Sequence, residues 1–218
     1  MDAMEPDALP LASRIALGYC PAAQRAALGA ALALDYRLSQ LVARTTEAML
    51  GQMRLAWWRE TLQQPPAARP RGDAVLDAIS DSWQDNCAPL IALVDGWEYL
   101  LRPEPIDSAA ALAFAEGRAA ALMAACGYDA GTGRAAAVAA RAWALGDLAA
   151  KVSNEAERRV LIALGLAEAR QRARLDPQGR ALAVLGALGA RALARGGRPL
   201  MEGRGAAAIA VKAAILLR

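Results

Sequence analysis

The chain predicts an all-α fold, a single-domain helical bundle, on three observations. Alanine fills 57 of 218 positions, and alanine is the best helix former and a poor strand residue. Apolar residues make up 56% of the chain while Phe, Tyr and Trp reach only 5%, so the core is built from small side chains that let helices approach closely. Glycine, proline and capping residues then cut the chain into about ten helical lengths. With 22% charged residues the composition is that of a folding chain and not of a disordered one. One domain over residues 1–218 is expected, because the Pro-rich loops are too short to be interdomain linkers.

A first short helix is predicted near 8–17, ended by Gly18, and Pro21 suits the first position of the next, near 21–43. A third runs from Thr46 to about Gln63 and stops at the loop QPPAARPRG. Asp73 is placed to cap a helix reaching about Asn86, and Pro89 starts one that ends near Leu101. After the rigid connector RPEP, Asp107 or Ser108 caps a long helix to about Cys126. Thr132 caps the next, which ends near Val152. Asn154 with Glu157 then has the pattern of a capping box for a restart. Asp176-Pro177 opens a further helix, and GGRP separates the last one, AAAIAVKAAILLR. That last helix is basic and apolar: it reads as a buried bundle helix, with peripheral membrane contact as its other reading.

Several chemistries are excluded at the outset. Histidine is absent, which removes His-based acid–base catalysis, Ser-His and Cys-His pairs, and His-ligated metals. Cys20, Cys87 and Cys126 are odd in number and widely spaced, so they form no disulfide framework or metal motif and suit a reducing, cytoplasmic compartment. The acidic start MDAMEPDALP lacks the basic and apolar regions of a signal peptide. No long apolar run predicts a transmembrane segment. A net charge of +3 is too small to imply nucleic acid. The halves differ, however, with 9 basic and 14 acidic residues before position 109 and 16 and 8 after it. Solvated helix faces account for such an imbalance; an anionic ligand, a membrane surface or an acidic partner are the functional readings.

Two strings invite a functional reading. Asp73, Asp77, Asp81 and Asp85 repeat every four residues, the spacing that lines up carboxylates on a helix. On a wheel of about 100° per residue they centre almost opposite Val75, Leu76, Ile79 and Trp83, so they are expected to face water. In GQMRLAWWRETL, residues 51–62, Trp57 and Trp58 either anchor the bundle or wall an apolar cavity with Arg54 at its mouth. Arg54 stands four residues before Trp58, within reach of a cation–π contact.

Together with YCPAAQRAALGAALALDYRLSQLV and LIALVDGWEYLL, this string resembles the squalene/phytoene synthase family. The likeness spans roughly residues 10–150 and is similar to a divergent branch that includes the mitochondrial complex I assembly factors. It implies an all-α isoprenoid-synthase fold around a central cavity. In active members two prenyl diphosphates, held by Mg²⁺ on two facing Asp-x-x-x-Asp motifs, are joined head to head.

Carried over position by position, that metal chemistry fails. The first acidic motif falls on Ser39-Gln40-Leu41-Val42-Ala43 and the second on Lys151-Val152-Ser153-Asn154-Glu155, while a further family aspartate falls on Leu100. Ser39 and Ala43 share a wheel face with Leu28, Leu32 and Tyr36 and are expected to look inward. Asp35 and Asp147 remain on cavity faces without acidic partners four residues away, and Asp147 with Lys151 has the spacing of a helical ion pair. The cavity candidates are therefore Asp35, Tyr36, Ser39, Ala43, Arg54, Trp57, Asp147, Lys151 and Glu155, with no catalytic residue, metal ligand or cofactor among the expectations. The implied function is binding, of a partner protein or an isoprenoid-like lipid. The alternative is an active Mg²⁺-dependent prenyl diphosphate transferase in which Asp35, Asp147 and Glu155 converge, and the blandest reading is a scaffold whose cavity its own side chains fill.

Overall fold

A computed structural model describes residues 9–217 apart from 103, 130 and 132. The described residues form α-helices and short 3-10 turns, with no strand among them. The helices are α1 (Leu11–Tyr19), α2 (Ala22–Arg44), α3 (Ala48–Gln63), α4 (Ala74–Ser82), α5 (Ala88–Glu98), α6 (Ser108–Ala125), α7 (Arg134–Ala149), α8 (Glu155–Arg170), α9 (Arg180–Ala194) and α10 (Gly205–Leu216). Each helix expected from the sequence is present within a few residues of its expected bounds.

The punctuation works through identifiable atoms. Asp73 accepts from the amides of Val75 and Leu76, and Asp107, not Ser108, caps α6 by accepting from Ala110. Asn154 caps α8 through the amides of Ala156 and Glu157. The reciprocal half of the expected capping box does not form, because the Glu157 carboxylate accepts from the amide of Ile106 instead. Helix α4 ends at Ser82, earlier than expected, where Gln84 takes a left-handed conformation at φ 49°. Asp176-Pro177 opens a single 3-10 turn that leads into α9 and not the helix itself. The Thr132 cap lies outside the described residues. Loop QPPAARPRG is pinned by the buried Arg69, which donates to the carbonyls of Gln64 and Gln84 at 3.0 and 2.8 Å.

Packing runs α5 on α6, α6 on α7, and α7 on both α8 and α9, with α10 and α1 covering α9. Helix α2 lies across α4, α5 and α6, and α3 rests on α5. A continuous cluster of buried residues threads α1 to α10. The small-residue composition permits very close approaches, among them that of α7 and α9: a Cβ added at Gly146 would stand 2.6 Å from the carbonyl oxygen of Gly189. Both backbones are thus in direct contact.

Such tight seams leave unfilled space elsewhere. Helices α1, α2 and α7 and the connection between α9 and α10 diverge around a half-open cavity of about 300 Å³.

Candidate functional site

The cavity brings together residues from distant parts of the chain. On α2, Asp35 and Tyr36 lie three and four residues after Leu32 and four and three before Ser39, so the four share a face. Trp143, Asp147 and Lys151 do the same at four-residue steps along α7 and just past its end. Leu11 of α1 and Leu200 and Met201 of the α9–α10 connection complete apolar walls.

The floor is ionic and closes on a buried guanidinium. Arg118 of α6 is among the largest fully buried side chains, at 2% exposure. Its Nε and Nη2 donate to the two oxygens of Asp35 at 2.8 and 2.6 Å, a bidentate pair. Its Nη1 donates to Asp147 Oδ2 at 3.0 Å. Asp35 Oδ1 also accepts from Trp97 Nε1 at 2.9 Å, and Lys151 Nζ donates to Asp147 Oδ2 at 2.8 Å. The Arg118 guanidinium lies 3.8 Å from the centre of the Trp143 ring, with Phe114 and Trp97 further round it, so aromatic faces supply attraction where hydrogen bonds do not.

Burial pushes against the charges of Asp147 and Arg118, and their partners win. Burial alone would raise the Asp147 carboxyl; Arg118 first and Lys151 second hold it below the ordinary carboxylate range instead. Burial likewise disfavours charged Arg118, and Asp35 and Asp147 more than reverse this. The four charges of the lining, Asp35, Asp147, Arg118 and Lys151, sum to zero. Since the Asp147 carboxyl is lower in the folded chain than in the unfolded one, its stabilisation is complete above the ordinary carboxylate value and is lost as pH falls through the folded value. Asp73, where amide hydrogen bonds and Arg37 overcome burial, acts in the same sense. Urea unfolding is therefore expected to be nearly pH-independent from neutrality to about pH 5 and to weaken below about pH 4, with a shallower acid limb in Asp147→Asn.

The sequence candidates divide. Asp35, Tyr36, Ser39, Asp147 and Lys151 line the cavity. Ala43, expected to look inward, is exposed, because α2 has by then run past the bundle. Arg54 and Trp57 line a separate shallow groove with Arg37, Arg44 and Trp58, so they are not at the mouth of the central cavity. Trp58 is the bundle anchor, buried and edge-on to Trp57, which is half-exposed. The cations that meet aromatic rings among the described residues are Arg118 and Arg102, not Arg54. Glu155 is exposed and paired with Arg158, away from Asp35 and Asp147. Asp81 and Asp85 face water as expected, and Asp73 and Asp77 are half-buried, engaged with Arg37 and with the amide of Gly72.

Arg118 itself was not among the candidates, although a signal for it exists. Helix α6 is apolar on all sides, with alanine throughout, and such a helix is buried. An arginine at four residues from Phe114 in that setting requires a buried acid, and Asp35 was already assigned to an inward face.

The donor set does not suit Mg²⁺. That ion takes oxygen ligands near 2.0–2.1 Å, roughly six in all, whereas both inward carboxylates are engaged by Arg118. Among the described residues no three Cys, Asp or Glu side chains converge on a common point. Nor is a thiol nucleophile at hand, since all three cysteines are buried and burial, with Cys20 nearby, pushes the Cys126 thiol up to about 12. The site defines an all-helical protein with an ion-paired, half-apolar internal cavity. Comparison with family models, curated proteins and solved structures finds no match for the chain.

Proposed function

We propose that this chain is a non-catalytic binding protein of the isoprenoid-synthase type, related to the squalene/phytoene synthase family, whose cavity takes one isoprenoid-like lipid. The observation that carries the reading is Arg118, an internal cation bridging Asp35 and Asp147, two of the three carboxylates that the transferase alternative would need for Mg²⁺. The cavity offers apolar walls from Leu11, Leu32, Trp143, Leu200 and Met201 around a neutralised floor. A diphosphate brings several negative charges, and no excess of cations meets it there. The volume supports one ligand, since about 300 Å³ is the lower end for small-molecule sites, and two prenyl chains would need more.

The competing prenyl transferase reading requires Asp35, Asp147 and Glu155 to hold Mg²⁺ together. Glu155 lies outside the cavity and Arg118 would have to leave, stranding its charge in an apolar helix. A partner protein, the other form of the binding reading, has support from a different place: Met49, Met53 and Trp57 stand one turn apart on α3 and are exposed at 72, 63 and 45%.

Titration with farnesol and with farnesyl diphosphate, with and without Mg²⁺, tests the lipid reading. Saturable farnesol binding that changes the Trp143 emission and ignores Mg²⁺ is expected. Ser39→Trp, which plugs the mouth from a half-buried position, is expected to weaken it at least tenfold, roughly the loss of one well-packed contact. Release of pyrophosphate from farnesyl diphosphate on adding Mg²⁺ would establish the transferase instead.

A further inference from the structure

The face built by α9, α10 and the end of α8 is lined by basic side chains. Arg172, Arg191, Arg195 and Lys212 line a groove of about 620 Å³ there, and no carboxylate is among its described lining residues. Of the carboxylates near it, Glu168 pairs with Arg141 at 2.9 Å, while Glu202 holds one oxygen 3.9 Å from Arg198 and buries the other without a partner. Arg191 Nη1 is closed off from water and has no hydrogen-bond partner. Other parts of the Arg191 side chain are partly exposed along the groove, where an anionic oxygen can meet them. The start of α10 adds to the same field: a Cβ at Gly203 would stand 3.6 Å from Arg191 Nη2, so the positive end of that helix adjoins the guanidinium.

An apolar ridge continues from this groove. Helix α10 spends four of its six alanines, Ala206, Ala210, Ala213 and Ala214, on the bundle, where they are buried. Its larger side chains point away, with Val211, Ile215 and Leu216 exposed at 45, 69 and 38%. Lys212 and Leu216 belong to both the groove and the ridge.

We propose that this face docks on a membrane surface bearing anionic phospholipids, with lipid phosphates meeting Arg191, Arg195 and Lys212 and with Ile215 and Leu216 entering the acyl boundary. Charge complementarity selects an anionic occupant, and the adjoining ridge selects a bilayer, because a free anion has no use for exposed isoleucine and leucine. No helix among the described residues is long and apolar enough to cross a membrane, so contact is from one side. This inference is independent of what fills the internal cavity.

Co-sedimentation of the full chain with vesicles of phosphatidylcholine, alone or mixed with phosphatidylglycerol, tests it. Strong binding to the mixed vesicles and weak binding to phosphatidylcholine alone are expected. Arg195→Gln and Lys212→Gln, both at exposed positions, should each weaken partitioning about fivefold. Ile215→Glu should weaken it more than about tenfold, with thermal unfolding unchanged in all three. Equal binding to both vesicle types, or wild-type binding by Ile215→Glu, would overturn the proposal. So would stabilisation by inorganic phosphate without any sedimentation, which would mark a site for a free anion.

Discussion

Arg118→Met is expected to destabilise the protein by about 4 kcal/mol in urea or thermal unfolding, the range for stripping one partner from a buried ion pair. The methionine fills most of the space, so the loss is electrostatic. Asp35, at 7% exposure, keeps the Trp97 hydrogen bond but loses two donors. Asp147 suffers less, since Lys151 still reaches it from the mouth. Arg118→Lys is expected to recover only part of the loss, because an ammonium cannot reproduce the bidentate fork to Asp35 while also reaching Asp147. The diagnostic variant is the double substitution Asp35→Asn with Arg118→Met. Removing both charges removes the stranded carboxylate, so the double variant should be more stable than the two single losses added together, by more than about 1 kcal/mol. Strict additivity would mean that Arg118 matters only through packing.

Gly189→Ala is the second large effect, and its sign runs against helix propensity. Alanine in place of a mid-helix glycine ordinarily gains about 1 kcal/mol. Here the new Cβ would stand 2.5 Å from the carbonyl oxygen of Ala142 and 2.5 Å from the Cα of Trp143. Both obstacles are backbone and cannot rotate away. The helices must separate, at an overpacking cost of about 3 kcal/mol, which leaves a net loss near 2 kcal/mol. The displacement also shifts Trp143, so the cavity wall moves with it. Gly18→Ala is the control: a Cβ there meets nothing within 4 Å, and a gain of about 0.5 kcal/mol is expected.

The helix order was legible because it is written locally. Alanine content, prolines at helix starts and the Asp73, Asp107 and Asn154 caps each act within four residues, so a reader of the chain meets cause and effect together. Half of the cavity was legible too. Asp35, Ser39 and Asp147 sit on faces that the apolar periodicity of their helices turns inward. Ala43 shows the limit of that reasoning, since a helical wheel gives an angle but not the point at which a helix leaves its neighbours. Trp57 shows another: two adjacent tryptophans cover neighbouring arcs, and only packing against α5 decides that Trp58 is the buried one.

Local codes thus determined that this protein is helical, where its helices break, and which acids have no acidic partner within a turn. The tertiary arrangement alone decided what those acids do. Asp35, Arg118 and Asp147 are separated by 83 and 29 positions, and their energies depend on their distances in the folded chain and on how far each is withdrawn from water. Neither quantity has a local signature, because desolvation and Coulomb attraction belong to the folded neighbourhood and not to any one segment of the chain.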